Sequence, residues 1–172
     1  MKILFVGRLD TFKGVLTFVE AARLCPQDEF IICGDGPLKM EVLNRRSTLS
    51  NLQFLSWVSQ QKVNKLMMEA DIFCQLSPVE NIWAASLIRA MKYEKAIICT
   101  DVGWTNRFLN EETVVLIPPQ DPQALATAIK FTLKNSDVRK QFGKNAAEYV
   151  KENLLVDKIA KEVYDGIRET LR

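Results

Sequence analysis

The sequence contains no histidine in its 172 residues. Histidine titrates closest to neutral pH, so its absence removes the commonest general base and metal ligand from this chain. Any proton transfer would fall to carboxylates, lysine, tyrosine or a partner domain. Cysteine is scarce as well, with four copies and no C-x-x-C pair, which argues against a zinc or redox motif. Three of them, Cys33, Cys74 and Cys99, fall inside apolar strand-like runs, and we interpret these three as small buried side chains.

The chain also lacks a strong charge of one sign and a long apolar run. Its 23 Lys and Arg residues against 21 Asp and Glu residues give a formal net charge of +2, which argues against a nucleic-acid partner. No apolar run is long enough to cross a membrane, and residues 1–9 become polar too early for a secretion signal. We therefore expect a cytoplasmic protein with no transmembrane segment. The length favours one domain.

Short apolar runs alternate with helical patterns along the chain. Buried strands are predicted at residues 2–7, 30–34, 53–56, 71–76, 96–100 and 113–117. Helices are predicted at residues 15–24, 37–47, 60–69, 84–93, 105–109 and 123–133, and a helical tail at 136–172 consists of two segments that meet near residue 153. This alternation predicts an α/β fold, a Rossmann-like doubly wound parallel sheet of about six strands with extra C-terminal helices.

Local signals predict where some of these helices begin. Ser59 and Asp121 have the side chains preferred at helix N-caps. Pro37 and Pro122 are suited to the first helical position, where the missing N–H group costs nothing.

Ligands of doubly wound sheets bind at the carboxyl ends of the strands. We therefore expect five loops, residues 7–14, 34–37, 56–59, 77–83 and 101–104, to lie close together. The loop at 77–83 precedes a helix, so its N–H groups and the helix dipole favour an anion. Within it, Glu80 could accept hydrogen bonds from sugar hydroxyls, and the amides of Asn81, Ile82 and Trp83 could bind a phosphate. A sugar nucleotide carries both sugar hydroxyls and phosphates, so it would fit this loop.

The other loops contribute charge, glycine and an aromatic ring. Arg8 and Lys13 could neutralise a diphosphate and stabilise the charge of a leaving group, although two solvated loop cations are an equally good interpretation. The G-D-G-P loop with Gly34 is not G-x-G-x-x-G and follows the second strand, so it does not support nicotinamide binding. Trp57 could contact a nucleobase, although packing also explains a tryptophan at a strand end.

These segments together resemble a known family. The motifs that carry the resemblance are K-I-L-F-V-G-R-L at 2–9, K-G at 13–14, G-D-G-P-L at 34–38, V-S-Q-Q at 58–61, A-D-I-F at 70–73, A-M at 90–91, D-V-G at 101–103 and I-P-P-Q-D-P-Q-A-L-A at 117–126. They occur in the order found in the carboxyl-terminal, donor-binding domain of retaining GT-B glycosyltransferases, the glycosyl transferases group 1 family.

The resemblance implies that residues 1–172 form a single nucleotide-sugar-binding domain, one half of a GT-B fold. The expected donor is a UDP- or GDP-sugar, and the expected reaction moves a hexose to a glycan or lipid acceptor without metal or cofactor. An acceptor-binding amino-terminal domain is absent from this chain and would come from the same or another protein. The isolated domain should therefore be inactive. The missing domain could also place the protein at a membrane surface.

The resemblance also implies roles for individual residues. Arg8, Lys13 and Glu80 would be catalytic. The donor-binding residues would be Gly7, Gly34, Trp57, Val58, Asn81, Ile82, Trp83 and Arg89. Val58 would offer its backbone to the base.

Two positions depart from the family pattern. Arg89 and Arg107 stand where the family usually has acidic residues, and a guanidinium cannot accept hydrogen bonds from ribose hydroxyls as a carboxylate does. The same sequence therefore also fits a non-catalytic module derived from GT-B with a degenerate donor site. Half of a sugar-nucleotide epimerase is a third possibility, which the loops match less well.

Overall fold

The computed structural model of the protein describes residues 1–79, 84–103, 105, 109 and 112–154. Its strands are β1 (Lys2–Val6), β2 (Glu29–Cys33), β3 (Leu52–Leu55), β4 (Ile72–Gln75), β5 (Ala96–Thr100) and β6 (Val115–Ile117). Its helices are α1 (Val15–Leu24), α2 (Lys39–Arg46), α3 (Gln60–Glu69), α4 (Ala85–Lys92), α5 (Pro122–Lys134) and α6 (Ser136–Asn153). The predicted loop residues Glu80, Asn81, Ile82, Trp83 and Arg107 lie outside the described part, as does most of the predicted helix at 105–109.

The strands form one sheet in the order β3-β2-β1-β4-β5-β6. Each neighbouring pair is parallel, and Leu4 of β1 faces both Ile31 of β2 and Phe73 of β4. The prediction of a doubly wound α/β sheet is confirmed. Successive strands are added on one side from β1 to β3 and on the other side from β4 to β6. This reversal leaves a crevice at the carboxyl ends of β1 and β4.

Helices cover both faces of the sheet, which explains why the strands are continuous apolar runs. One core packs α1, α2 and α5 on the sheet, with the Phe18 ring 5.6 Å from that of Phe5 and 5.1 Å from that of Phe30. The second core packs α3, α4 and α6 on the opposite face, through Leu66, Met91 and other apolar side chains. None of the helices in the described part combines the length and hydrophobicity that crossing a membrane requires.

Two of the predicted helix starts are confirmed. The Ser59 side chain accepts a hydrogen bond from the Lys62 N–H, and the Asp121 side chain accepts one from Ala124, with Pro122 at the first helical position. The prediction for Pro37 is wrong, because α2 begins at Lys39. The turn before α2 is held by a tertiary contact, since the Leu38 N–H donates to the carbonyl oxygen of Leu9 at 2.9 Å.

Candidate functional site

A cleft of about 550 Å³ opens at the carboxyl edge of the sheet, between the first turns of α3 and the middle of α4. Six of the predicted site residues line it: Gly7, Arg8, Gly34, Trp57, Val58 and Arg89. They come from the loops after β1, β2 and β3 and from α4. The prediction that separate loops gather at one edge of the sheet therefore holds for these three loops.

Glycines allow the loops after β1 and β2 to touch. Gly34 has a φ of 154°, and a Cβ atom there would overlap the carbonyl oxygen of Gly7. Backbone hydrogen bonds join the same two loops. The Gly7 N–H donates to the Cys33 carbonyl oxygen at 3.1 Å, and the Leu9 N–H donates to the Asp35 carbonyl oxygen at 2.9 Å. On this side of the cleft, the two loops are therefore held together by backbone hydrogen bonds and do not move independently.

Gly14 brings the loop after β1 against the end of β4. It has a φ of 69°, and a Cβ atom there would overlap the carbonyl oxygen of Leu76. On the other side of β4, the Thr100 hydroxyl donates to the Ser77 carbonyl oxygen at 2.5 Å. The loops that begin at residues 7, 76 and 101 therefore start along one edge.

The other predicted site residues either do not line this cleft or lie outside the described residues: the catalytic candidates Lys13 and Glu80, and the donor-binding candidates at 81–83. The Lys13 side chain is not among those that line the cleft, although its neighbour Gly14 lies against Leu76. Glu80, Asn81, Ile82 and Trp83 fall outside the described residues. Their proximity to Arg8 stays a prediction.

The two arginines give the cleft its positive charge. The Arg8 Nε lies 3.1 Å from an Asp10 carboxylate oxygen, and its side chain is 68% exposed. Only the Arg8 Nε pairs with Asp10, whose side chain is 15% exposed, so the other N–H groups of the exposed guanidinium can donate to an anion. Arg89 is half-buried in α4, where its carbonyl oxygen accepts the Tyr93 N–H, and its guanidinium lies at the cleft. Both guanidinium groups can therefore donate to a ligand.

The sequence-based prediction missed several residues of the cleft. Val6, Cys33 and Val63 form an apolar floor, and Asp35, Ser59 and Gln60 supply polar groups at its margin. Asp35 was visible as the residue between two glycines of a predicted ligand loop. The apolar floor gave no local signal in the sequence, because it combines the last residues of two strands, Val6 and Cys33, with Val63 of α3.

The Asp35 carboxylate accepts three hydrogen bonds from groups of the protein itself. Its Oδ2 accepts hydrogen bonds from the Lys39 ammonium at 2.7 Å and the Ser56 hydroxyl at 2.6 Å, and its Oδ1 accepts one from the Gly36 N–H at 2.9 Å. The bond from Lys39, followed by that from Ser56, lowers the pKa of Asp35 to about 2. Asp35 is thus ionised at neutral pH, and each of its carboxylate oxygens accepts at least one hydrogen bond.

Trp57 stands at the mouth of the cleft. Its side chain is 80% exposed, an unusual state for a large aromatic residue. The packing alternative for Trp57 is therefore not supported, and the ring is available to a flat ligand or to another domain. Among residues 1–79, 84–103 and 112–154, no three Cys, Asp or Glu side chains converge as metal ligands do.

The family model of the glycosyl transferases group 1 matches residues 1–135. The chain belongs to this family. An uncharacterized glycosyltransferase of Methanocaldococcus jannaschii is 28% identical over 179 residues, which cover 99% of this chain and 45% of that protein. The chain thus spans less than half the length of this curated relative.

Solved structures of group 1 and related proteins share the fold. Alr3699/HepE of Anabaena, solved in complex with UDP and glucose, has a TM-score of 0.85 at 19% identity over 97% of this chain and 48% of its own. The C-terminal domain of a glycosyl transferase group 1 family protein (LpcC) of Francisella tularensis has a TM-score of 0.80 at 21% identity over 90% of this chain and 86% of that domain. The group 1 chain described here therefore has the fold of the carboxyl-terminal half of a GT-B glycosyltransferase.

Proposed function

We propose that this chain is the donor-binding domain of a retaining glycosyltransferase that moves a hexose from a UDP- or GDP-sugar to a glycan or lipid acceptor, as in polysaccharide biosynthesis. The observation that carries the proposal is the cleft, in which loops after three strands bring Gly7, Arg8, Gly34, Trp57 and Val58 together. Family membership and the UDP bound by the Anabaena neighbour support a nucleotide-sugar as the ligand.

The chemistry of the cleft suggests how a donor would lie. The diphosphate would bind beside Arg8, whose guanidinium matches phosphate oxygens in shape and charge. The base would lie toward Trp57 and the Val58 backbone, above the apolar floor. During transfer, negative charge grows on the departing diphosphate, and Arg8 together with Lys13 would stabilise it. Glu80 would hold the hydroxyls of the sugar, and the reaction would need no metal.

The acceptor would come from outside this chain. An amino-terminal acceptor-binding domain, from the same or another polypeptide, would close over the cleft and complete the active site. The isolated chain would then bind donor but transfer no sugar. We place the protein in the cytoplasm, in contact with a membrane if the acceptor is a lipid.

Titration calorimetry tests the donor site directly. The chain should bind UDP or GDP saturably, and EDTA should leave the affinity unchanged. ADP serves as the comparison for base selectivity, and inorganic pyrophosphate shows how much of the affinity comes from the phosphates alone. Failure of every nucleoside diphosphate to bind would contradict the proposal.

Arg89 stands where the family usually has an acidic residue, and it leaves the cleft without the expected acceptor for ribose hydroxyls among the described residues. This favours a second candidate function, a non-catalytic module that kept the fold. Among the described residues that line the cleft, the only carboxylate is Asp35, which already accepts three hydrogen bonds from within the protein. Sugar transfer by the chain joined to its missing domain would exclude this candidate. Weak UDP binding that strengthens at least tenfold in Arg89→Glu, with no transfer, would favour it.

A further inference from the structure

Three polar side chains form a closed set of hydrogen bonds across two loops of the cleft. The Asp35 carboxylate accepts hydrogen bonds from the Lys39 ammonium at 2.7 Å and from the Ser56 hydroxyl at 2.6 Å. Lys39 also donates to the Ser56 hydroxyl oxygen at 3.2 Å. We call Asp35, Lys39 and Ser56 the Asp35 bridge. It joins the loop after β2 to the loop after β3.

The bridge lies where the regular backbone pairing of β2 with β3 stops. The last sheet-like bond between these segments runs from the Gly34 N–H to the Leu55 carbonyl oxygen at 3.0 Å. Beyond it, the connection is made by side chains, and Ser56 is the residue they hold. Ser56 directly precedes Trp57, whose side chain is 80% exposed and so has little packing of its own to fix it.

We propose that Asp35 is a positioning residue for the nucleoside end of the cleft: through Ser56 it holds Trp57 and Val58 where they receive the base. The inference rests on the proposed function. In this proposal Asp35 acts through the bridge, because its Oδ2 accepts the other two members and its Oδ1 accepts the Gly36 N–H. Holding the loop in place before binding lowers the entropy cost of ordering it when the ligand arrives.

The effect of removing the bridge should depend on the ligand. In Asp35→Asn the amide has a single acceptor oxygen and no charge, so it cannot accept the Gly36 N–H as well as Lys39 and Ser56, and it holds the Lys39 ammonium less strongly. UDP affinity should therefore fall about tenfold. Inorganic pyrophosphate contacts no nucleoside-binding group, so its affinity should change by less than about twofold. Ser56→Ala removes both side-chain bonds that reach the loop after β3, so it should show the same split with a loss at least as large.

Glu69→Gln is the matched control. Glu69 is 40% exposed and bonds Lys2 at 3.0 Å, whereas Asp35 is 42% exposed and bonds Lys39 at 2.7 Å. Glu69 ends α3, while Gln60 at its start lines the cleft, so the control lies about 14 Å from that end by helix rise. This variant should bind UDP and pyrophosphate as the unchanged chain does.

A double-mutant cycle tests whether Asp35 acts through Trp57. If it does, Asp35→Asn should cost less than about twofold in UDP affinity once Trp57→Ala is present, because coupled residues are not additive. The inference is overturned if Asp35→Asn leaves UDP affinity unchanged, weakens pyrophosphate equally, or costs the full amount in the Trp57→Ala background. If the unchanged chain binds neither ligand, the proposed function fails and this inference fails with it.

Discussion

The guanidinium of Arg8 is the charge we expect to contribute most to donor binding among the described residues. It lines the cleft, and its side chain is 68% exposed although its Nε pairs with the partly buried Asp10. Because a charge-assisted hydrogen bond contributes about 1.5–3 kcal/mol, Arg8→Ala should weaken UDP binding at least about tenfold in calorimetry. Arg23→Ala removes an exposed arginine that pairs with Glu20 on α1, and it should have no effect. Equal affinities for the two variants would contradict the assignment of Arg8.

Gly34 tests whether the wall of the cleft needs its close backbone contact. A Cβ atom at this position would overlap the carbonyl oxygen of Gly7, and the φ of 154° is one that other residues rarely adopt. Gly34→Ala should therefore lower the free energy of unfolding by about 1–3 kcal/mol in urea denaturation. Gly7→Ala is the control, because among the described residues its Cβ would meet only the Phe5 ring, at 3.7 Å. Equal stability of the two variants would show that the loops can separate without cost.

At the scale of elements, the N-cap of α5 is the clearest local determinant of stability. The Asp121 Oδ1 accepts the Ala124 N–H at 2.9 Å, and Pro122 follows in the first turn. Asp121→Ala should lower the free energy of unfolding by about 1 kcal/mol, whereas Asp121→Asn should preserve most of it because asparagine also caps well. Urea denaturation measures both. A loss of the same size in the asparagine variant would point to charge rather than capping.

Elements whose determinants are local could be predicted from the sequence, and those with tertiary determinants could not. The caps at Ser59 and Asp121 depend on side chains three residues or fewer from their partners, and both predictions are confirmed. The prediction for Pro37 failed because the Leu38 N–H donates to the Leu9 carbonyl oxygen in the loop after β1, and α2 begins only at Lys39. Residues 113 and 114 were predicted as strand, and they are buried, yet only Val115–Ile117 pairs with β5. An apolar run therefore predicts which residues are buried, but not which of them pair with a neighbouring strand.

At the scale of the whole molecule, the sequence predicted which loops would carry the site but not how they fit together. The rule that ligands bind at the carboxyl edge of a parallel sheet placed Arg8, Gly34, Trp57 and Val58 in one region, and all four line the cleft. The apolar floor and the Asp35 bridge depend on strand order, since they need β3 beside β2 and β2 beside β1. No local pattern encodes that order.

The four cysteines provide a test of the whole fold. All are free and buried, and burial raises the pKa of Cys99 to about 12, so almost none of its thiol ionises in the folded protein near neutral pH. Because the thiolate is the reactive form, a disulfide-exchange reagent at pH 8 should label the native chain slowly. In denaturant, all four thiols should react at once. Rapid labelling of a native thiol would show that the packing described here is incomplete.

Donor binding should slow this labelling further. If labelling requires unfolding and UDP binds only the folded chain, UDP at a hundred times its Kd should slow the reaction about a hundredfold. Cys33 lies on the floor of the cleft, whereas Cys25, Cys74 and Cys99 lie in the two cores. Cys33→Ala therefore separates two effects: equal slowing in this variant would indicate global stabilisation, and loss of the slowing would indicate that the ligand merely covers Cys33. No slowing in either protein at a saturating UDP concentration would contradict labelling that depends on unfolding.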